Sequence, residues 1–391
     1  MFERNKTQQA WQDKIIAFAE TVINPDAVVR ETNAVFDRNL WQSCADMGLA
    51  GLSIPQKWGG QGMNAFSTVL ALEALGKGGT DPGLNFALSA HLLAVAIPIS
   101  LYGTDEQRQR LLPALCDGSA VGGNAITEAT AGSDVYNMQT VATKEEEKYS
   151  LTGNKTYCSN GGEADTILTY ALTNPDKGYF GGVTAFVLEK GKHNFRWSEA
   201  RQKLGARTCP VATLIQEGTL VDATNRLGEE GAGAQIFQTS MTWERVCLGA
   251  IHLGAMDRMF KMATDFANER FSGGKNLSSY QAVTHPFANL KLQLESARLL
   301  TYKAAYALDN KKKNQLAGSL AKLSVSECYK QFCLQMTQLF ASQAYETPHP
   351  IAIQLKAALG ATLYSGTSEI HRNLVARAIG FKPSQRNLKV Q

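Results

Sequence analysis

Hydrophobic positions in this 391-residue chain change their spacing twice. Over residues 1–120 they recur at helical intervals, as in IIAFAETVI (15–23), AFSTVLALEALGKG (65–78) and LNFALSAHLLAVAIPISLYG (84–103). From 121 to 230 the pattern shortens to TILTYALT (166–173), VTAFVLEK (183–190) and ATLIQEGTLV (212–221), separated by turn signals such as TGN, SNGG and YFGG. That predicts a small antiparallel β domain. After LGEEGAGA (227–234) helical periodicity returns over 231–391. Its clearest stretch is ANLKLQLESARLLTYKAAYALDN (288–310), with Leu290, Leu292, Leu294, Ala297, Leu299 and Tyr302 among the apolar positions. The order is helices, sheet, helices, in three domains (1–120, 121–230, 231–391) and without internal repeats.

One position breaks the pattern. In MTWERVCLGAIHLG (241–254), read as a helix, Glu244 shares a face with Met241, Cys247, Leu248 and Ile251. Burying an ionised carboxylate without a partner costs several kcal/mol, so such a residue is turned outward, paired, or used chemically.

Composition narrows the classes. Hydrophobic content of 44% with 19% charged residues is that of a folded globular chain. A net charge of +4 gives no reason to invoke nucleic acid or a membrane surface. The seven cysteines form no CxxC pair and the six histidines no HExxH cluster, so neither a disulfide framework nor a metal site is expected. A reducing cytoplasm is the expected compartment. The N-terminal MFERNKTQQAWQDK lacks the apolar run of a signal peptide. The segment 84–103 is interrupted by Asn85, Ser89, His91 and Pro98, which reads as a buried helix and not a membrane span. The runs TKEEEK (143–148) and NKKKN (310–314) read as solvated turns, with an acidic partner for Lys311, Lys312 and Lys313 as the lesser alternative.

GxxxxGK[ST], a GxGxxG after a strand and GxSxG are all absent. Three other segments carry candidate chemistry. NAITEATAGSDV (124–135) offers the Thr127 hydroxyl and short donors around Gly132 and Ser133. LTGNKTYCSNGG (151–162) ends a strand in Tyr157 and Ser159. In ATLYSGTSEIHRNLVARAIG (361–380), Gly366 permits a tight turn before Thr367 and Ser368 at a helix start.

In this order and spacing the three segments resemble the acyl-CoA dehydrogenase family of flavoproteins, and LYGTDEQRQRLLPAL, LGEEGAGA and NERFSGGKNLSSYQAV extend the resemblance over almost the whole chain. It implies an N-terminal helical domain, a middle β domain and a C-terminal four-helix bundle, assembled as a homotetramer or homodimer around FAD. By position, Ile126, Thr127, Ser133, Tyr157 and Ser159 would lie around the flavin ring, Ser159 near N5. Arg270, Ser272, Gln281 and Gln338 would face the pyrophosphate and adenosine, some across a subunit interface. Thr367 and Glu369 would lie near the adenosine end.

The family's chemistry needs a base for the α-proton of an acyl thioester. Many members keep it in a YEGT motif, which reads here Tyr364-Ser365-Gly366-Thr367. Other branches carry it in an ER motif on the first helix of the bundle, matching Glu244-Arg245. The acid missing at 365 is thus present at 244, while the Ser365 backbone N–H can still donate to the thioester carbonyl.

The chain also departs from the family pattern. The GGxG turn reads Ala341-Ser342-Gln343-Ala344, and Asn124, Ala129, Tyr157 and Gly273 replace the usual aromatic, Pro, Trp and Phe. The resemblance is greatest to branches acting on carrier-bound acyl groups, the prolyl-carrier-protein oxidases above all. The alternatives are a short- or branched-chain acyl-CoA dehydrogenase served by an electron-transferring flavoprotein, and a catalytically silent scaffold.

Overall fold

The computed structural model describes residues 4–312 and 315–382; Lys313 of the basic run lies outside them. Helix starts follow the local chemistry. Asn5 and Gln8 form a capping box at α1 (Lys6–Phe18). Asn64 accepts from Ser67 N at α2 (Ala65–Gly78), and Asp81 caps α3 (Pro82–His91), where Pro82 occupies the first turn. A π turn (Leu92–Ala96) joins α3 to α4 (Ile97–Tyr102), and α5 (Asp105–Asp117) closes the first layer. Pro82–Tyr102 is apolar and long enough to cross a membrane, but its most apolar window is 83% buried inside the fold.

The sheet comprises β1 (Gly122–Ala125), β2 (Val141–Glu145), β3 (Lys148–Ser159), β4 (Thr166–Leu172), β5 (Val183–Glu189), β6 (Arg196–Trp197), β7 (Val211–Asp222) and β8 (Arg226–Leu227). Their order is β6-β7-β3-β1-β4-β5-β8, with β2 beside β3 and β4. Pairing is antiparallel except that β1 and β2 meet β4 in parallel. The intervening β2–β3 hairpin provides the crossover that a parallel pair requires. One sheet face packs on the helical core through Leu168 and Tyr170, and the other on a smaller cluster around Tyr149, Ile167 and Phe186.

The bundle contains α6 (Gly233–Trp243), a π turn (Glu244–Leu248), α7 (Ala250–Glu269), α8 (Gln281–Asp309), α9 (Gln315–Phe340), α10 (Pro350–Ala361) and α11 (Ser368–Ala378). Helices α2 and α7 approach so closely that a Cβ on Gly76 would lie 1.9 Å from Ile251 O, and one on Gly254 1.9 Å from Glu73 O. Glycine at both positions is what permits that approach. Arg298 of α8 ties the same helices, bonding Glu73 at 2.9 Å and Asp257 at 2.7 Å.

One expectation for α8 is corrected. Leu292 and Leu299 are 69% and 54% exposed, while Leu290, Leu294, Ala297 and Tyr302 are buried. Apolar residues stand on both sides of this helix, so spacing alone could not separate the face turned to the core from the one turned away.

Candidate active site

Glu244 begins the π turn between α6 and α7, where the sequence predicted uninterrupted α-helix. Such one-turn irregularities are frequent at functional sites. The residue is buried, and neighbours from two elements reach its carboxylate. The Ser365 hydroxyl donates to Oε2, and the Ser240 hydroxyl, one turn back, approaches Oε1 at 3.4 Å. Burial pushes the Glu244 carboxyl above its ordinary range, and the Ser365 hydrogen bond and the Arg245 charge oppose that shift.

Ser365 has φ +54° and Gly366 φ +91°, two successive left-handed residues. Gly366 takes this conformation at little steric cost, whereas Ser365 is strained and is held by its surroundings. Lys322 of α9 donates to Gly366 O at 2.7 Å, and burial pushes its pKa down to about 8. His371 of α11 is fully buried and donates through Nε2 to Ser365 O at 3.1 Å, leaving Nδ1 without a partner among the described residues. The Ser365 N–H makes no hydrogen bond among the described residues, so it is available as a donor.

Tyr364, next to Ser365, joins His252 of α7 through a 2.6 Å hydrogen bond. His252 stacks on Tyr329 of α9 with centroids 4.4 Å apart and planes 16° apart. Burial, aided by Lys322, pushes its pKa down to about 3, which keeps the ring neutral. Phe86 of α3 packs on Tyr364 with ring centroids 4.5 Å apart. Glu244 and His252 are eight residues apart, so both project toward the 364–365 loop from the same helical run.

The segments expected around a flavin ring do come together. Asn124 pairs with Ser159 across β1 and β3, Thr156 N donates to Thr127 O at 2.7 Å, and Gly132 lies against the Thr127 methyl. Ile126 is buried, Thr127 and Ser159 are half-buried, and Ser133 and Tyr157 are exposed. Tyr157 takes φ +56°, and Arg201 covers its ring at 4.7 Å. These segments form a shelf in which the buried Glu128 accepts from Lys155 at 2.7 Å and from Gln139 N and Thr140 N. Burial opposes ionisation of Glu128, but Lys155 and these donors hold its pKa below the ordinary value.

The second set stands apart. Arg270, Ser272, Gln281, Gln338 and Glu369 are exposed, and no hydrogen bond among the described residues joins them to the shelf. Thr367 caps α11 through a bond from Ile370 N. The departures at 273 and 341 have structural readings. Gly273 has φ +57°, which disfavours a side chain, and the Tyr280 phenol, 2.6 Å from where a Cβ would be, would have to shift for the usual Phe. Ala341 has φ +50° and ψ −129°, a conformation suited to the glycine it replaces.

A partly exposed shelf rich in hydroxyls, the N-terminus of an 11-residue helix, an exposed arginine and a buried Asn124 Oδ1 with no partner among the described residues suit a planar polar ring carrying phosphates. The residues therefore fit FAD. A groove of about 750 Å³ opens between α5 and the sheet, lined by Arg110, Lys148, Lys192, His193, Asp222 and Asn225; none of the candidate residues borders it. Sequence reading did not single out Lys322, His371 or His252, although the eight-residue spacing from Glu244 to His252 was a usable signal.

The family models for the acyl-CoA dehydrogenase N-terminal, middle and C-terminal domains match residues 5–119, 123–218 and 231–380. The L-prolyl-[peptidyl-carrier protein] dehydrogenase of Pseudomonas fluorescens is 39% identical over 350 residues, covering 89% of this chain and 92% of that protein. The crystal structure of the prolyl acyl carrier protein oxidase AnaB superposes with a TM-score of 0.94 at 36% identity, covering 97% of this chain and 100% of that one. The structure of PigA with FAD and proline gives a TM-score of 0.94 at 33% identity over 97% of this chain and 99% of that one.

Proposed function

This chain belongs to the acyl-CoA dehydrogenase family, as a flavin-dependent oxidoreductase whose cofactor is FAD, and from that premise we propose that it dehydrogenates a prolyl group held as a thioester on a carrier protein. The observation carrying the mechanism is the buried Glu244 carboxylate, hydrogen-bonded by the serine at the position of the YEGT acid. Supporting the prolyl group and the carrier is the similarity to L-prolyl-carrier dehydrogenases.

Glu244 takes the α-proton. Its raised pKa brings the carboxylate closer to the basicity that proton abstraction from carbon needs. The Ser365 N–H donates to the thioester carbonyl and so favours negative charge developing on that oxygen. Lys322 and His371 hold the carbonyls of Gly366 and Ser365, anchoring the backbone that follows that N–H. When bound, FAD supplies the acceptor for the hydride that leaves the neighbouring ring position. Ile126, Thr127, Ser133, Tyr157 and Ser159 would hold its ring, and Arg270, Ser272, Gln281, Gln338, Thr367 and Glu369 its pyrophosphate and adenosine.

Exposure of this last set in a single chain accords with a site completed by a second copy, hence a homotetramer or homodimer. Seven unpaired, buried cysteines accord with a cytoplasmic location. Anaerobic bleaching of the flavin's visible band tests the reading. Prolyl-loaded carrier protein should bleach it fast and short acyl-CoA thioesters should not; fast bleaching by acyl-CoA alone would overturn the carrier-bound substrate. A protein that takes up no FAD would return the scaffold reading.

A further inference from the structure

The basic run after α8 stands close to the candidate active site. Between residues 300 and 325 the chain carries a single acid, Asp309, against Lys303, Lys311, Lys312, Lys313 and Lys322. The Asp309 carboxylate is occupied at the start of α2, where it accepts from Ala65 N at 2.7 Å and Phe66 N at 3.0 Å. Lys303, Lys311 and Lys312 are exposed, and none of them has an ion pair among the described residues. Lys312 lies over the Tyr306 ring at 5.8 Å, and Lys303 sits one turn before that ring. The exposed Arg4 reaches the Tyr302 hydroxyl at 3.2 Å. Positive side chains thus gather around the end of α8, on a chain whose net charge is only +4.

Helix α9 ties this patch to the site. A Cβ on Gly318, in its first turn, would lie 3.6 Å from Arg245 Cβ and 3.5 Å from Val246 Cγ2, so the helix start rests against the residues that follow Glu244. One turn on, Lys322 holds Gly366 O beside Ser365. The exposed Tyr136, shortly after Ser133 of the shelf, stands near enough to act on the Arg245 charge. From Lys322 back to Gln315 the helix rises about 10 Å, and the chain to Lys312 adds at most about 10 Å. Backbone at the patch is therefore within roughly 20 Å of the residue that holds the 365–366 loop, a span that an extended phosphopantetheine arm covers.

We propose that the end of α8, with Lys303, Lys311 and Lys312, is the docking surface for the carrier protein, which presents to it an acidic face around the attachment point of its arm. The proposal rests on the carrier-bound thioester reading above and adds the surface that recognises the carrier. Exposed charges of one sign steer and orient a partner of the opposite sign. The arm's phosphodiester is itself anionic and enters from the carrier side. A second copy of this chain is a poor occupant, because a two-fold contact would set these lysines against themselves.

The test compares the FAD-loaded full-length enzyme with the double variant Lys311→Glu/Lys312→Glu by anaerobic flavin bleaching. Substrates are prolyl-loaded carrier protein and prolyl-pantetheine, which has the thioester arm and no protein. On the carrier substrate the variant should lose at least about tenfold in kcat/KM, through KM, with kcat retained. On prolyl-pantetheine the two enzymes should agree. Added salt should lower the wild-type kcat/KM on the carrier steeply and that of the variant less. Lys311→Gln/Lys312→Gln, which removes the charges without reversing them, should fall between the two. Equal kcat/KM on the carrier overturns the docking surface alone, as does an equal loss on prolyl-pantetheine. A variant that changes oligomeric state on size exclusion gives the patch to a second copy and overturns it too. A wild type bleached by acyl-CoA and not by the loaded carrier removes the carrier reading, and the docking surface with it.

Discussion

The hydroxyl of Ser365 donates to the carboxylate of Glu244 across 121 residues of chain. Two positions that the sequence offers as alternative homes for one acid therefore meet in space. The serine supplies a donor that favours the charged form of the base against its burial.

Glu244→Gln should give a folded, yellow enzyme whose kcat falls by about 10²–10⁴, the usual worth of a positioned base. The same change should raise stability at neutral pH. The carboxyl's folded pKa lies above its unfolded one, so burying it costs stability progressively as pH rises from the unfolded value through the folded one. Denaturant melts at pH 7.5 should show a gain that fades as pH falls toward the ordinary carboxylate range. Wild-type turnover in the variant would remove Glu244 from the mechanism.

Ser365→Ala removes a donor to the carboxylate and keeps the backbone N–H. The Glu244 pKa should rise, because burial is then less opposed. The acid limb of kcat/KM should move to higher pH, with the plateau reduced by about tenfold or less. An unmoved limb would dissociate the serine from the base.

Ala341→Gly should stabilise the fold by about 1–2 kcal/mol, since the alanine occupies a positive-φ conformation that glycine adopts more easily. Thermal melts of the FAD-loaded protein measure this. An unchanged or lower Tm would mean that the alanine methyl is compensated elsewhere.

His91 of α3 accepts from Gly122 N through Nδ1 at 2.8 Å and meets Leu115 O through Nε2 at 3.0 Å, tying β1 to α3 and α5. Burial pushes its pKa down to about 4. The unfolded chain then binds the proton more readily, so stability is full above about 6.5 and is lost as pH falls toward 4. This one ring should contribute about 3 kcal/mol to that loss. Denaturant titrations at pH 7 and 4.5 check it, and a flat profile would mean that the ring is not confined as described.

Much of this was legible in the sequence for stated reasons. Glu244 stood out because a carboxylate on an apolar face needs an explanation, and the order of helical and strand periodicities gave the layering. Other features were not legible. Parallel pairing of β1 with β4 depends on where the β2–β3 hairpin folds back, which strand composition does not encode. Leu292 and Leu299 fit an apolar stripe, and only the packing of α8 shows that they point away from the core. Neither the Ser365 contact nor the His252–Tyr364 bond is local, so no spacing rule could have paired them.

The left-handed backbone at 365 separates two duties within one residue. Aiming the N–H is a property of the main chain, whereas contacting the base belongs to the side chain, so natural variation can replace the second without touching the first. Substitutions at this position should then fall into two groups. Small polar residues would adjust the proton chemistry, while proline, which has no N–H and cannot take a positive φ, would abolish both duties together.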